Sequence, residues 1–174
     1  MTTPQELKQY VRDIPGYPQP GIVFRDITPL LARKELFREV VEMMSKGWSD
    51  RSPDLVAAIE ARGFIPGAAI AVKLNAGFVP IRKTGKLPWK TIGEAYRLEY
   101  GTDQLQIHSD AVEPGQKVLI VDDVLATGGT AAAAVRLIRK LGGEVIGVQV
   151  LIELTELGGR GRLPGVEVVS EIVY

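Results

Sequence analysis

The chain has 174 residues, 45% of them hydrophobic and 24% charged, which suits one domain with a full core. Its 21 Lys and Arg balance its 21 Asp and Glu, so no bulk charge draws it to nucleic acid or an anionic membrane, and any anion site must be built locally. It has no cysteine and one histidine, His108, which excludes disulfides, thiolate nucleophiles and a multi-histidine metal centre within one chain.

Thr3-Pro4-Gln5-Glu6 reads as a helix start: Thr3 caps, Pro4 suits the first turn, and Glu6 closes a capping box. The helix is expected to end near Asp13. The N-terminal stretch has no long apolar run, so it does not read as a signal peptide. No segment approaches the roughly 20 apolar residues of a membrane span. The expected compartment is the cytoplasm. Residues 14–27 hold three prolines and two glycines, which predicts an ordered loop or short strands.

Leu36, Val40, Met44 and Trp48 recur every four residues, predicting an amphipathic helix over 33–48, broken by Ser52-Pro53. Residues 54–60 read as a short buried strand, 62–75 as a loop leading into a helix, and 77–82 as a second strand. Residues 83–93 are polar, basic and turn-rich. The segments 94–100 and 103–108 alternate like exposed strands. Residues 117–122, KVLIVD, are the strongest candidate for a buried strand. Residues 130–142 predict a helix stopped by Gly142-Gly143, and 144–154 and 166–174 two further strands. Strands alternating with helices imply an α/β fold with a mainly parallel sheet covered on both faces. Trp48 reads as a helix anchor, Trp89 as a loop residue and His108 as a surface residue.

The chemistry concentrates at VLIVDDVLATGGT, residues 118–130. In open α/β sheets, ligands sit beyond the carboxyl ends of strands, where Asp122 and Asp123 are expected. Ala126, Thr127, Gly128, Gly129 and Thr130 then lead into a helix. Small residues let main-chain N–H groups approach an anion, and the helix N-terminus adds positive partial charge. The two carboxylates would repel a phosphate, but they suit sugar hydroxyls a few ångströms away. A 5-phosphorylated ribose satisfies both halves. The competing reading makes Asp122 a cap or turn residue and the glycines mere packing devices.

The same stretch resembles the signature by which type I phosphoribosyltransferases bind 5-phospho-α-D-ribose 1-diphosphate (PRPP). It is not a Walker A loop, because no Gly-Lys-Ser/Thr follows. Three more segments resemble the adenine phosphoribosyltransferase family: PGIVFRDITPLL (20–31), EARGFIPG (60–67) and IRKTGKLPWKTIGEAYRLEYG (81–101). The tail LIELTELGGRGRL fits as well. The resemblance implies the type I phosphoribosyltransferase fold over a single domain, 1–174, with a small N-terminal hood at about 1–35 and a core at about 36–174. It implies that Phe24 stacks on adenine while the main chain of Val23 and Arg25 reads the base edge. It implies that Glu60, Ala61, Arg62, Arg82, Lys83 and Lys86 serve the diphosphate, with a non-proline cis peptide at Glu60-Ala61. Glu99 becomes the acid/base near the adenine imidazole ring, and Tyr100 its neighbour. The implied reaction joins adenine and PRPP into AMP and diphosphate. Mg²⁺ arrives on PRPP rather than on a protein ligand set, and the implied assembly is a homodimer. A regulator that senses PRPP without turnover, and the same chemistry on a 6-oxo purine, remain alternatives at this point.

Overall fold

The structure, a computed structural model, describes residues 3–97 and 102–174. Thr3 and Glu6 close the expected capping box: Thr3 N–H donates to the Glu6 carboxylate at 2.7 Å, and Glu6 N–H to Thr3 Oγ1 at 3.3 Å. The helix it begins, α1 (Pro4–Lys8), ends earlier than the sequence suggests. Ile14 precedes a proline, which disfavours helical backbone. The chain instead extends into β1 (Arg12–Pro15), antiparallel to β2 (Val23–Asp26). Their connection carries Gly16 and Gly21 at positive φ and a cis Tyr17-Pro18 bond. Asp26 then accepts both the N–H and the hydroxyl of Thr28 at 2.9 Å, which starts α2 (Thr28–Leu31).

The helix expected over 33–48 is α3 (Lys34–Lys46), with Val40 and Met44 buried and Trp48 just beyond its end. There follow β3 (Leu55–Ile59), α4 (Phe64–Lys73), β4 (Gly77–Lys83), β5 (Thr91–Arg97), β6 (Thr102–His108), β7 (Lys117–Leu125), α5 (Gly129–Lys140), β8 (Glu144–Glu153) and β9 (Val168–Val173). The large sheet runs β5-β6-β4-β3-β7-β8-β9. The pairs β3–β4, β3–β7, β7–β8 and β8–β9 are parallel, whereas β4–β6 and β5–β6 are antiparallel.

The apolar run of β7 follows from burial on both faces. Val118 and Ile120 pack with the α5 residues Ala133, Ala134, Leu137 and Ile138. Leu119 and Val121 pack with Val40, Met44 and Ile70 of α3 and α4, and with Leu7, Ile27 and Leu30 from the N-terminal segment. The N-terminal segment therefore shares a core with the sheet.

Three expectations need correction. The segments 94–96 and 103–108 are half-buried, because Tyr96, Leu105 and Ile107 face the α5 side of the core. His108 is also half-buried, with its Nε2 enclosed. Strand β7 does not end at Asp122. It continues to Leu125 because β8 runs beside it, with Val124 opposite Ile152 and Leu125 opposite Glu153. Strand β3, on the other side, pairs only as far as Val121. Both acids thus lie inside β7 yet past its pairing with β3.

Trp48 locks α3 to the sheet. Its Nε1–H donates to Gln149 Oε1 at 2.7 Å, and its ring covers Gly147, where a Cβ would meet Cη2 at 2.2 Å. Gly147→Ala should therefore lower stability by about 1–3 kcal/mol through overpacking. In a chain of this size that is about 2–4 °C in Tm per kcal/mol. Calorimetry or urea unfolding checks this; an unchanged midpoint would mean the indole can move aside.

Candidate active site

The site begins with the buried pair Asp122 and Asp123. Asp122 Oδ1 accepts the N–H of Asp123 at 2.9 Å. Burial pushes the Asp122 carboxyl well above the usual carboxylate range, and the neighbouring Asp123 carboxylate adds to the rise. Arg62, from the loop after β3, places Nε 2.6 Å from Asp123 Oδ2. That contact is an ion pair without hydrogen-bond alignment: Asp123 Oδ2 and Arg62 Nη1 are both buried and make no protein hydrogen bond. Buried polar atoms are normally satisfied, so both atoms keep capacity for a further polar partner.

Arg62 also lies over the Phe24 ring, 4.3 Å from its centroid. Tyr17 meets the same ring edge-on at 5.2 Å. One guanidinium thus joins the hood hairpin to the acids of β7. Arg25 pairs its side chain with Asp13 and lies 3.9 Å over the Tyr174 ring, with its Nε buried. Val23 is exposed beside it. The Glu60-Ala61 bond is cis, as the resemblance implied.

Beyond the acids, Ala126, Thr127 and Gly128 turn the chain into α5. Gly128 adopts φ 77°, which suits glycine, and no side chain caps the helix. The first-turn N–H groups from Gly129 and Thr130 onward therefore have no side-chain cap.

The basic residues are already engaged. Arg82 Nε donates to Glu60 Oε2 at 2.9 Å and Nη1 to the Lys86 carbonyl at 3.0 Å, while Lys83 N–H donates to the same Glu60 oxygen at 3.1 Å. Lys83 Nζ lies 3.1 Å from Asp103 Oδ2. Lys86 is exposed and contributes its carbonyl. Glu99 and Tyr100 lie outside the described residues.

Sequence reasoning missed Tyr96. Its hydroxyl donates to Asp103 Oδ2 at 3.2 Å, directly across the β5–β6 pair. Burial, then Asp103, pushes its pKa up to about 12, while the Thr130 side chain opposes the rise. Tyr96 thus ties the Lys83–Asp103 pair to Thr130 in the first turn of α5. Strand alternation was the one available signal, since it puts Tyr96 on the inward face.

The oxygen donors here suit Mg²⁺. Among the described residues, however, no three His, Cys, Asp or Glu side chains gather into a ligand set.

Residues 26–170 match the phosphoribosyl transferase domain family. The adenine phosphoribosyltransferase of Thermotoga maritima is 62% identical over 97% of this chain and 98% of its own length. The crystal structure of adenine phosphoribosyltransferase from Thermoanaerobacter pseudethanolicus superposes with a TM-score of 0.97 at 50% identity, covering 99% of this chain and 100% of the other. That of the Saccharomyces cerevisiae enzyme, complexed with an imino-altritol 1,6-bisphosphate and adenine, gives 0.92 at 35% identity over 97% and 98%.

The raised Asp122 carboxyl sets a pH dependence. Above about pH 4 the unfolded chain ionises this group more readily than the folded one. The native state then binds more protons, so stability falls as pH rises toward the native value. Asp122→Asn, which can still accept from Asp123 N–H, should raise the Tm of the ligand-free protein at pH 7–8, with a gain that shrinks toward pH 4. Scanning calorimetry across that range checks it. A lower Tm at neutral pH would show that the charge stabilises the fold.

Proposed function

The chain belongs to the phosphoribosyl transferase domain family, among its adenine phosphoribosyltransferases, and on that premise we propose how its residues transfer the 5-phosphoribosyl group of PRPP to adenine, giving AMP and diphosphate. The observation that carries the assignment of roles is the pair Asp122 and Asp123, buried beside the uncapped start of α5.

Asp122 and Asp123 accept hydrogen bonds from the ribose 2′- and 3′-hydroxyls. Ala126, Thr127, Gly128, Gly129 and Thr130 wrap the 5′-phosphate with main-chain N–H groups and two hydroxyls. Adenine stacks on Phe24, and the main chain of Val23 and Arg25 reads its edge. The Arg25 side chain is taken up by Asp13 and Tyr174, which supports a main-chain rather than side-chain role there. Residues from about 1 to 35 serve as the hood of a single domain.

Adenine N9 attacks C1′ as the bond from C1′ to the diphosphate oxygen breaks. The bonding pair leaves with diphosphate, and positive charge builds on the ribose ring. Glu60, Ala61, Arg62, Arg82, Lys83 and Lys86 surround the leaving group, and their cations offset its charge. Glu99 takes the N9 proton, with Tyr100 beside it. Mg²⁺, bound to PRPP, supplies charge neutralisation at the diphosphate. Holding base and sugar in line contributes up to about 7–11 kcal/mol in favourable models.

We assign the working form as a cytoplasmic homodimer. The exposed Ile65, Val72 and Phe78 on α4 and β4 support a covered face there. No helix among the described residues is long and apolar enough to cross a membrane.

Diphosphate release from PRPP should depend on adenine. A 6-oxo purine presents the opposite hydrogen-bond pattern at the base edge and should be disfavoured by as much as about 10⁴-fold. The double variant Asp122→Asn with Asp123→Asn should raise the Kd for PRPP about 100-fold, from two hydrogen bonds to charged acceptors at roughly 1.5 kcal/mol each. Titration calorimetry reads this, and an unchanged Kd would reject the ribose role. Glu99→Leu should cut kcat by about 10²–10⁴-fold with little change in KM; full turnover would remove it from the chemistry.

A further inference from the structure

The turn from Ala126 to Gly128 has almost nothing of its own to hold it still. Its residues are small, Gly128 sits at positive φ, and no side chain caps the helix that follows. Its support comes from the tail between β8 and β9. A Cβ on Gly128 would meet the Gly159 carbonyl oxygen at 2.2 Å. One on Gly159 would meet the Ala126 carbonyl oxygen at 2.3 Å and Gly128 N at 3.1 Å. The two backbones therefore touch, with no space for a side chain between them.

Gly159 is held there by its neighbour. Arg160 Nε and Nη2 each donate at 2.7 Å to the two oxygens of Glu153, in a bidentate fork. Nη1 donates to the Val168 carbonyl at 2.7 Å, and Nη2 also reaches Ser170 Oγ at 3.2 Å. Ser170 in turn donates to Glu153 Oε2 at 2.6 Å. Glu153 is the last residue of β8, opposite Leu125, the last residue before the turn. Leu154 N–H donates to the Leu125 carbonyl at 2.9 Å, so the ladder runs right to the turn's edge.

We propose that Arg160 is a positioning residue for the 5′-phosphate: its fork onto Glu153 presses the Gly159 backbone against the turn and so sets the turn's affinity for phosphate. The inference rests on the reading of residues 126–130 as the phosphate cradle. Arg160 itself does not touch substrate. A lysine keeps the charge but cannot make the planar two-bond fork, so charge alone is not enough.

The test compares AMP with adenosine, which differ only in the phosphate. Calorimetric Kd values for both, together with PRPP kinetics and Tm, are measured for wild type, Arg160→Met, Arg160→Lys and Gly159→Ala. Arg160→Met should weaken AMP about tenfold while adenosine is unchanged, and should raise KM for PRPP with kcat nearly constant. Arg160→Lys should recover part of the loss. Gly159→Ala, with the fork intact, should reproduce the phosphate-specific loss; it and Arg160→Lys carry the test if Arg160→Met does not fold. A lower Tm with an unchanged preference for AMP over adenosine in the variants would reduce Arg160 to a fold-stabilising residue and overturn the proposal alone. A wild-type protein that holds AMP no tighter than adenosine would overturn the cradle itself, and the positioning role with it.

Discussion

Two adjacent carboxylates buried near the tip of an apolar strand constrain everything built around them. Removing one carboxylate from water costs several kcal/mol, and a second beside it adds repulsion. Among the described residues, the cation that meets them is Arg62, which comes from the loop after β3 rather than from β7. Arg62 is steadied in turn by the Phe24 ring of the hood. The acids of β7, the loop 60–63 and the β1–β2 hairpin must therefore converge on one point. A nucleotide entering there meets a guanidinium already lying on the proposed base platform. In the proposed binding mode, its ribose hydroxyls and its ring take over contacts that Arg62 makes with Asp123 and Phe24.

The other cations follow the same logic. Arg82 rests on Glu60, and Lys83 on Asp103. In a chain with zero net charge, a cluster of positive groups needs counter-charges before any substrate arrives. Internal carboxylates supply them without closing the cluster to an incoming anion. The Lys83–Asp103 pair is the more exposed of the two, so it is worth less to stability and is the more readily exchanged for an anion oxygen in the proposed binding mode. The arrangement keeps the cations positioned and leaves them exchangeable.

The arrangement of Asp122, Asp123 and the turn was legible because it lies in one unbroken stretch, where a buried strand, two acids and a small-residue helix start follow in register. The alternation of strands and helices was legible for the same reason: each element states its own period. The hood hairpin was harder to read. The one local signal against a helix reaching Asp13 is Pro15, and the extended backbone of Arg12–Pro15 is set by pairing with Val23–Asp26. The Lys83–Asp103–Tyr96 network was not legible at all. It joins residues that meet only when β4, β5 and β6 pair, and each alone reads as an ordinary polar or aromatic strand residue. The Glu153–Arg160 fork was hidden differently. Its partners are seven residues apart, but the geometry depends on two 3₁₀ turns whose glycines show no period.

The neighbours at residues 122–130 also show why candidate binding positions and their supports separate along the chain. The acids stand on a strand, so the β8 ladder fixes them directly. The proposed phosphate turn cannot be held that way. It must stay small for main-chain N–H groups to reach an anion, and smallness removes the side chains that would brace it. Bracing must come from a second backbone pressed close, and that backbone must be glycine on both sides of the contact. A glycine-to-glycine contact has no side-chain shape to define its register. It needs an anchor next door, and the Arg160 fork onto a buried carboxylate is the kind of directional bond that can provide it.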